Sequence, residues 1–217
     1  MNQELSQNVL KSGTSIVGIV CKEGIVIGAD RRSTAGSIVM SKNSQKVVKV
    51  NEYTAVAGTG VASDIDMTQR VLSAELRLKE LKAKSRPTVK EAASLLGMLS
   101  YRGIRTPSMI PSIVGMLLGG FDENGASSLY SIEPAGGVYP VVDYDANFSS
   151  GMPYILGLLE RAYKKDLSVK EGVELAKECI KSSTQRDIGS GNGIDVFTIT
   201  KDGIKQVISE EIIAQYK

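Results

Sequence analysis

The chain predicts an α+β fold of four layers, two antiparallel β-sheets packed face to face with helices on both outer sides. Three observations predict it. The segments run strands, two helices, strands, two helices, strands, whereas a parallel βαβ sheet needs strict alternation. Many of the strands are apolar at nearly every position, so both of their faces require cover. With 217 residues, 42% hydrophobic and 23% charged, the chain can bury a large core without disulfide staples.

In chain order, TSIVGIVC (14–21) and IVIGAD (25–30) read as a hairpin around the turn Lys22-Glu23-Gly24. A Ser/Gly-rich loop follows. KVVKV (46–50) and YTAVAGTG (53–60) then make a second pair, widening one sheet to four strands. From Ser63, a plausible N-cap, the period turns helical through Ile65, Met67, Val71, Leu72, Leu76, Leu78 and Leu81. Pro87 stops that helix and Thr88 caps a second, VKEAASLLGMLSYRG. Strands resume in SIVGMLLGGFD, SLYSIEP and VYPVVDYDANF. A third helix is expected over MPYILGLLERAYKK, with Pro153 in its first turn. The fourth covers SVKEGVELAKECIKSSTQ, where Val169, Val173, Ala176 and Ile180 share a face. RDIGSGNGIDVFTITKDGIKQVI supplies a Gly-rich loop and a last hairpin. No linker or repeat interrupts the pattern.

Composition excludes several classes of function. Lys plus Arg number 26 against 24 Asp plus Glu, and a net charge of +2 leaves no electrostatic footprint for nucleic acid or an anionic membrane. The longest apolar stretch, 109–120, is broken by Pro111 and is too short to span hydrocarbon. The first thirteen residues lack the apolar core of a secretory signal. Cys21 and Cys179 form no framework and no Cys-x-x-Cys pair, as expected for buried thiols in a reducing, cytoplasmic compartment. Histidine is absent, which removes imidazole-based hydrolysis and the commonest transition-metal ligand. No cofactor or metal is expected.

Hydrolysis without histidine needs another base. If the Gly13–Thr14 bond is cut, Thr14 carries a hydroxyl and a free α-amine whose pKa of about 7.7 to 8.0 suits a proton acceptor. Gly13 favours the cut because its carbonyl is open and its backbone tolerates strained geometry. The first hairpin returns Asp30 beside the start of its partner strand, close to Thr14. Lys46 opens the third strand. A lysine near the amine disfavours the amine's protonated form, and an aspartate holds that lysine in place.

These residues resemble the proteasome β subunits of archaeal type, within the N-terminal nucleophile hydrolases. The similarity spans essentially the whole chain. GTSIVGIVCKEGIVIGADRR resembles the family's start, with Gly18 four residues after the threonine and Asp30-x-Arg32 after the second strand. Lys46 lies at the family's spacing, SSGMPYILGLLE matches the Ser-Gly segment before a helix, and RDIGSGNGIDV matches the Asp-x-x-Ser-Gly loop. Ser149-Ser150-Gly151-Met152 departs from the Gly-Ser-Gly-Ser usual there.

The resemblance implies a removable segment 1–13 and one domain, 14–217, of the N-terminal nucleophile hydrolase fold. It implies Thr14 as nucleophile and, through its amine, base. Asp30 and Lys46 tune it, and Ser150, Asp187 and Ser190 hold the amine and its water. Ungapped spacing selects Gly60 as backbone oxyanion donor, with Gly58 the alternative. Main-chain bonds from Thr34 and Ala62 would hold an extended substrate, over a pocket left roomy by Gly58. Implied partners are proteasome α subunits and other β subunits in stacked seven-membered rings, an ATPase acting through the α rings, and unfolded protein substrates. One rival is a structural β subunit that is never, or inefficiently, processed. Another is a different amidohydrolase of the superfamily or the shorter bacterial two-component protease subunit.

Overall fold

The computed structural model describes residues 13–212. The elements are β1 (Ile16–Cys21), β2 (Gly24–Asp30), β3 (Ser33–Ala35), β4 (Ile38–Ser41), β5 (Val47–Lys49), β6 (Thr54–Gly60), α1 (Ala62–Ala83) and α2 (Val89–Arg105). They continue with β7 (Val114–Phe121), β8 (Ser127–Ile132), β9 (Val138–Val141), β10 (Tyr144–Asp145), α3 (Met152–Ala162), α4 (Val169–Thr184), β11 (Gly193–Thr200) and β12 (Gly203–Glu211). They build two five-stranded sheets ordered β10-β1-β2-β11-β12 and β5-β6-β7-β8-β9, and all their strand pairs are antiparallel. The four-layer sandwich is the one the sequence predicts.

Strand alternation divides the core in three. Ile16, Ile25, Ile27, Leu117, Leu129 and Ile199 interleave between the sheets. On its other face the first sheet turns Val17, Ile19, Val26 and Val196 toward Ile155 and Leu159 of α3 and Ala176 and Ile180 of α4. Val56, Met116 and Leu118 of the second sheet meet Leu72 and Leu76 of α1 and Ala93 and Leu96 of α2. Gly18 brings the sheets together, because a Cβ there would stand 2.8 Å from Leu129 Cδ2.

Five expectations change. The first two hairpins lie in different sheets, since the free edge of β2 pairs with β11, Asp30 opposite Ile194, and not with β5. The loop between them folds into its own two-stranded β3–β4 hairpin. The run 138–148 splits into β9 and β10, one in each sheet. Helix α1 begins at Ala62 on Val61, which caps it with no side-chain bond, while Ser63 Oγ donates to Asp64. Its inward face is also narrower than its apolar spacing, for Met67, Leu78 and Leu81 are exposed and Gln69, Leu72 and Leu76 are buried. Helix α2 starts on Thr88 as expected and α4 on Ser168, the first residue of its expected run, each forming a capping box with the glutamate three residues on. Among the described residues, no helix is long and apolar enough to cross a membrane.

Candidate active site

The β1–β2 register fixes the first pair of site residues. Ile16 stands opposite Ala29, and one step further the Asp30 N–H donates to the Ser15 carbonyl at 3.1 Å. That step places the Asp30 carboxylate beside the chain at Thr14. Asp30 is fully buried, and its oxygens accept the backbone N–H groups of Ser15, Arg32 and Gly191, each at 2.9 Å. A buried carboxylate so provided with donors has its oxygens satisfied without water.

Lys46, just before β5, crosses from the opposite sheet. Its Nζ lies 2.6 Å from Asp30 Oδ1, 3.2 Å from Thr14 Oγ1 and 3.4 Å from the Gly13 carbonyl oxygen. Burial pushes the Lys46 ammonium below the ordinary lysine range, and the Asp30 carboxylate only partly opposes that shift. The Thr14 hydroxyl donates to the Gly13 carbonyl at 2.7 Å. The Thr14 hydroxyl, the lysine and the carbonyl before Thr14 therefore meet around one point.

The other side of Thr14 is built from the far end of the chain. Its N–H donates to Ser150 Oγ at 2.9 Å, and the Ser150 hydroxyl donates to Asp187 Oδ2 at 2.6 Å. Ser190 Oγ also donates to Asp187 Oδ2 and lies 2.7 Å from Ser15 Oγ. The Gly151 N–H takes up the Thr14 carbonyl at 3.2 Å. Six of the expected residues, Thr14, Asp30, Lys46, Ser150, Asp187 and Ser190, thus form one hydrogen-bonded array.

Gly60 and Gly58 both line a cavity of about 220 Å³ that opens at Thr14 and Lys46. Gly60 has φ +123°, and a Cβ there would lie 2.1 Å from the Ile113 carbonyl oxygen, so only glycine fits. At Gly58 the space opened by the missing side chain is taken by Ile65, whose Cγ2 stands 2.5 Å from the Cβ position. The cavity is therefore narrower than a bare glycine floor implies. Ala62 lines it at the start of α1, with Val48, Ile65, Asp66 and Gln69 nearby. Thr34 takes another part, its Oγ1 accepting the Gly13 N–H at 2.9 Å, while Arg32 and Ser33 form the adjacent wall.

Two residues escaped the sequence reading. Ser15 is a second hydroxyl in the array, hidden because β-strand alternation marks it only as a residue preceding an apolar run. Arg32 stood in the quoted motif without a role; its Nε donates to Asn192 Oδ1 at 2.8 Å and its Nη1 to the Ile188 carbonyl at 2.9 Å, binding the 187–192 loop to the end of β2.

Residues 10–199 match the family model described as "Proteasome subunit". Among curated proteins, the chain is 37% identical over 209 residues to "Proteasome subunit beta" of Archaeoglobus profundus, covering 96% of this chain and 94% of that one. It is 40% identical over 202 residues to "Proteasome subunit beta 2" of Pyrococcus abyssi, covering 93% and 94%. With "Proteasome subunit beta 1" of Thermococcus onnurineus it shares 40% over 205 residues, 94% and 97% of the two chains. A match this long and this similar, on a sandwich of the N-terminal nucleophile hydrolase type, settles kinship: the chain belongs to the proteasome subunit family, with archaeal β subunits among its relatives.

Proposed function

We propose that this chain is a catalytic proteasome β subunit, a threonine-type endopeptidase made as a precursor and self-cleaved between Gly13 and Thr14. The observation that carries the reading is Lys46 Nζ bridging Asp30 Oδ1 and Thr14 Oγ1 beside the Gly13 carbonyl. In self-cleavage the minor neutral fraction of Lys46, which burial enlarges, takes the Thr14 hydroxyl proton as Oγ1 bonds to the Gly13 carbonyl carbon. The C–N bond then breaks, its nitrogen taking that proton and leaving as the Thr14 amine. Water hydrolyses the resulting ester and releases residues 1–13 with a carboxylate end.

The freed amine is the atom that already lies on Ser150 Oγ, so the base forms in place. In turnover it takes the Thr14 proton as Oγ1 adds to a substrate carbonyl, with the Gly60 N–H as the oxyanion donor and Gly58 the alternative. The departing peptide amine receives the proton. Water activated by the Thr14 amine then opens the acyl ester, restoring the hydroxyl. Ser150, Asp187 and Ser190 hold amine and water, Thr34 and Ala62 align an extended substrate, and no metal or cofactor takes part.

As in the family, the chain works inside stacked seven-membered rings with α and other β subunits in the cytoplasm, degrading unfolded proteins fed by an ATPase. The test is the mass of the purified chain together with peptide hydrolysis. A chain beginning at Thr14 that hydrolyses peptides is expected, and Thr14→Ala should retain all thirteen leading residues and show no turnover. A wild-type chain that keeps Met1–Gly13 and is inert would instead be the structural β subunit.

A further inference from the structure

We infer that Gly189 is a positioning residue for self-cleavage, its missing side chain providing the seat in which Gly13 presents the bond to be cut. The inference rests on the self-cleavage proposed above. The two glycines interlock. A Cβ on Gly13 would lie 2.0 Å from Gly189 Cα, and a Cβ on Gly189 would lie 2.2 Å from Gly13 Cα. Gly189 is not among the positive-φ glycines, so what that position demands is space and not an unusual backbone. The close approach adds space to backbone tolerance as a reason for glycine at position 13.

Neither partner can move aside. Gly13 is pinned by its N–H to Thr34 Oγ1 at 2.9 Å and by its carbonyl to the Thr14 hydroxyl and Lys46 Nζ. On the other side, the Gly189 N–H donates to Asp187 Oδ1 at 3.1 Å. The flanking Ile188 carbonyl and Asn192 side chain are tied to Arg32, and the Gly191 N–H to Asp30. A methyl at either position must therefore displace the Gly13 carbonyl from the nucleophile or the loop from its anchors. Once the bond is cut, Gly13 departs and the obstruction goes with it. Gly189 thus serves one reaction of this site and is indifferent to the other.

The test measures self-cleavage of the full chain by mass against time for wild type, Gly189→Ala and Gly13→Ala. Hydrolysis of a fluorogenic peptide is then measured per cut chain. Because Gly13→Ala is identical to wild type once cut, it isolates the seat from every later step. For Gly189→Ala, a ubiquitin fused directly to Thr14 and removed by a separate hydrolase supplies cut chain even if self-cleavage stops. Both variants should self-cleave at least about tenfold more slowly, the scale of overpacking a fixed contact, with hydrolysis per cut chain within about twofold of wild type. Self-cleavage of Gly189→Ala at the wild-type rate overturns the inference, as does an equal loss of both activities, which would mark a general distortion of the loop. A wild-type chain that never cleaves itself would instead sink the proposed function.

Discussion

Asp30 takes four hydrogen bonds, three from backbone N–H groups belonging to three separate segments and one from Lys46. Removing Lys46 from this ensemble leaves a buried carboxylate with its three N–H donors but without its ammonium partner. Lys46→Ala removes the only ammonium that touches Thr14 Oγ1 among the described residues, and turnover of a fluorogenic peptide should fall by roughly 10² to 10⁴, with the circular dichroism spectrum unchanged. Hydrolysis at the unmutated rate would mean that the lysine tunes nothing. Cys21 and Cys179 behave differently. Burial pushes both thiols up to about 12 from 9.0, so in the folded chain they stay protonated and resist iodoacetamide at pH 8.5 until denaturant is added. The linkage has a definite sign. The unfolded chain loses these protons near pH 9 while the folded chain retains them, so their contribution is fully present below pH 9 and is lost as pH rises toward 12. Cys179→Ala should flatten that alkaline loss, read as the denaturation midpoint against pH.

Helices α2 and α4 are the elements whose beginnings the sequence declares most plainly. Thr88 and Ser168 accept the N–H of Glu91 and Glu171, and each glutamate reaches back to the N–H of its cap residue. Thr88→Ala and Ser168→Ala should each cost about 1 kcal/mol in urea unfolding at an unchanged m value. Helix α1 carries no such signal at Val61, and its Ser63, one residue inside, drew the expectation away from the true start. Capping chemistry is local and was legible; an uncapped start fixed by tertiary packing was not. The same division holds for the site. Thr14 and Asp30 converge through one hairpin, which residue spacing alone could bring together, whereas Lys46 arrives from the opposite sheet. Ser150, Asp187 and Ser190 reach Thr14 only through the assembled sheet and its helices, and family resemblance alone pointed to them.

At the scale of the molecule, layer order was legible because strand and helix periods alternate in blocks, while sheet membership was not. The pattern of β2 is buried throughout and apolar up to Asp30, and it is satisfied equally by β5 or by β11 as a neighbour; pairing between distant segments decides it. The two sheets approach at Gly18, where a side chain would meet Leu129 and Leu117. Gly18→Val should overpack this interface by roughly 1 to 3 kcal/mol, whereas Leu117→Ala, which empties it, should cost roughly 2 to 5 kcal/mol, both read from chemical denaturation. Equal stability of all three chains would show that the inter-sheet layer is not close-packed.

The strand order β10-β1-β2-β11-β12 joins strands early in the described chain to strands late in it. During synthesis Thr14 therefore lacks Ser150, Asp187 and Ser190 until translation has passed those positions, and the β11 edge that secures Asp30 comes later still. A nascent fragment halted before Asp187 carries Thr14 in an unfinished setting. Synthesis itself thereby acts as a timer, postponing assembly of the array around Thr14 until the late strands can close the sheet.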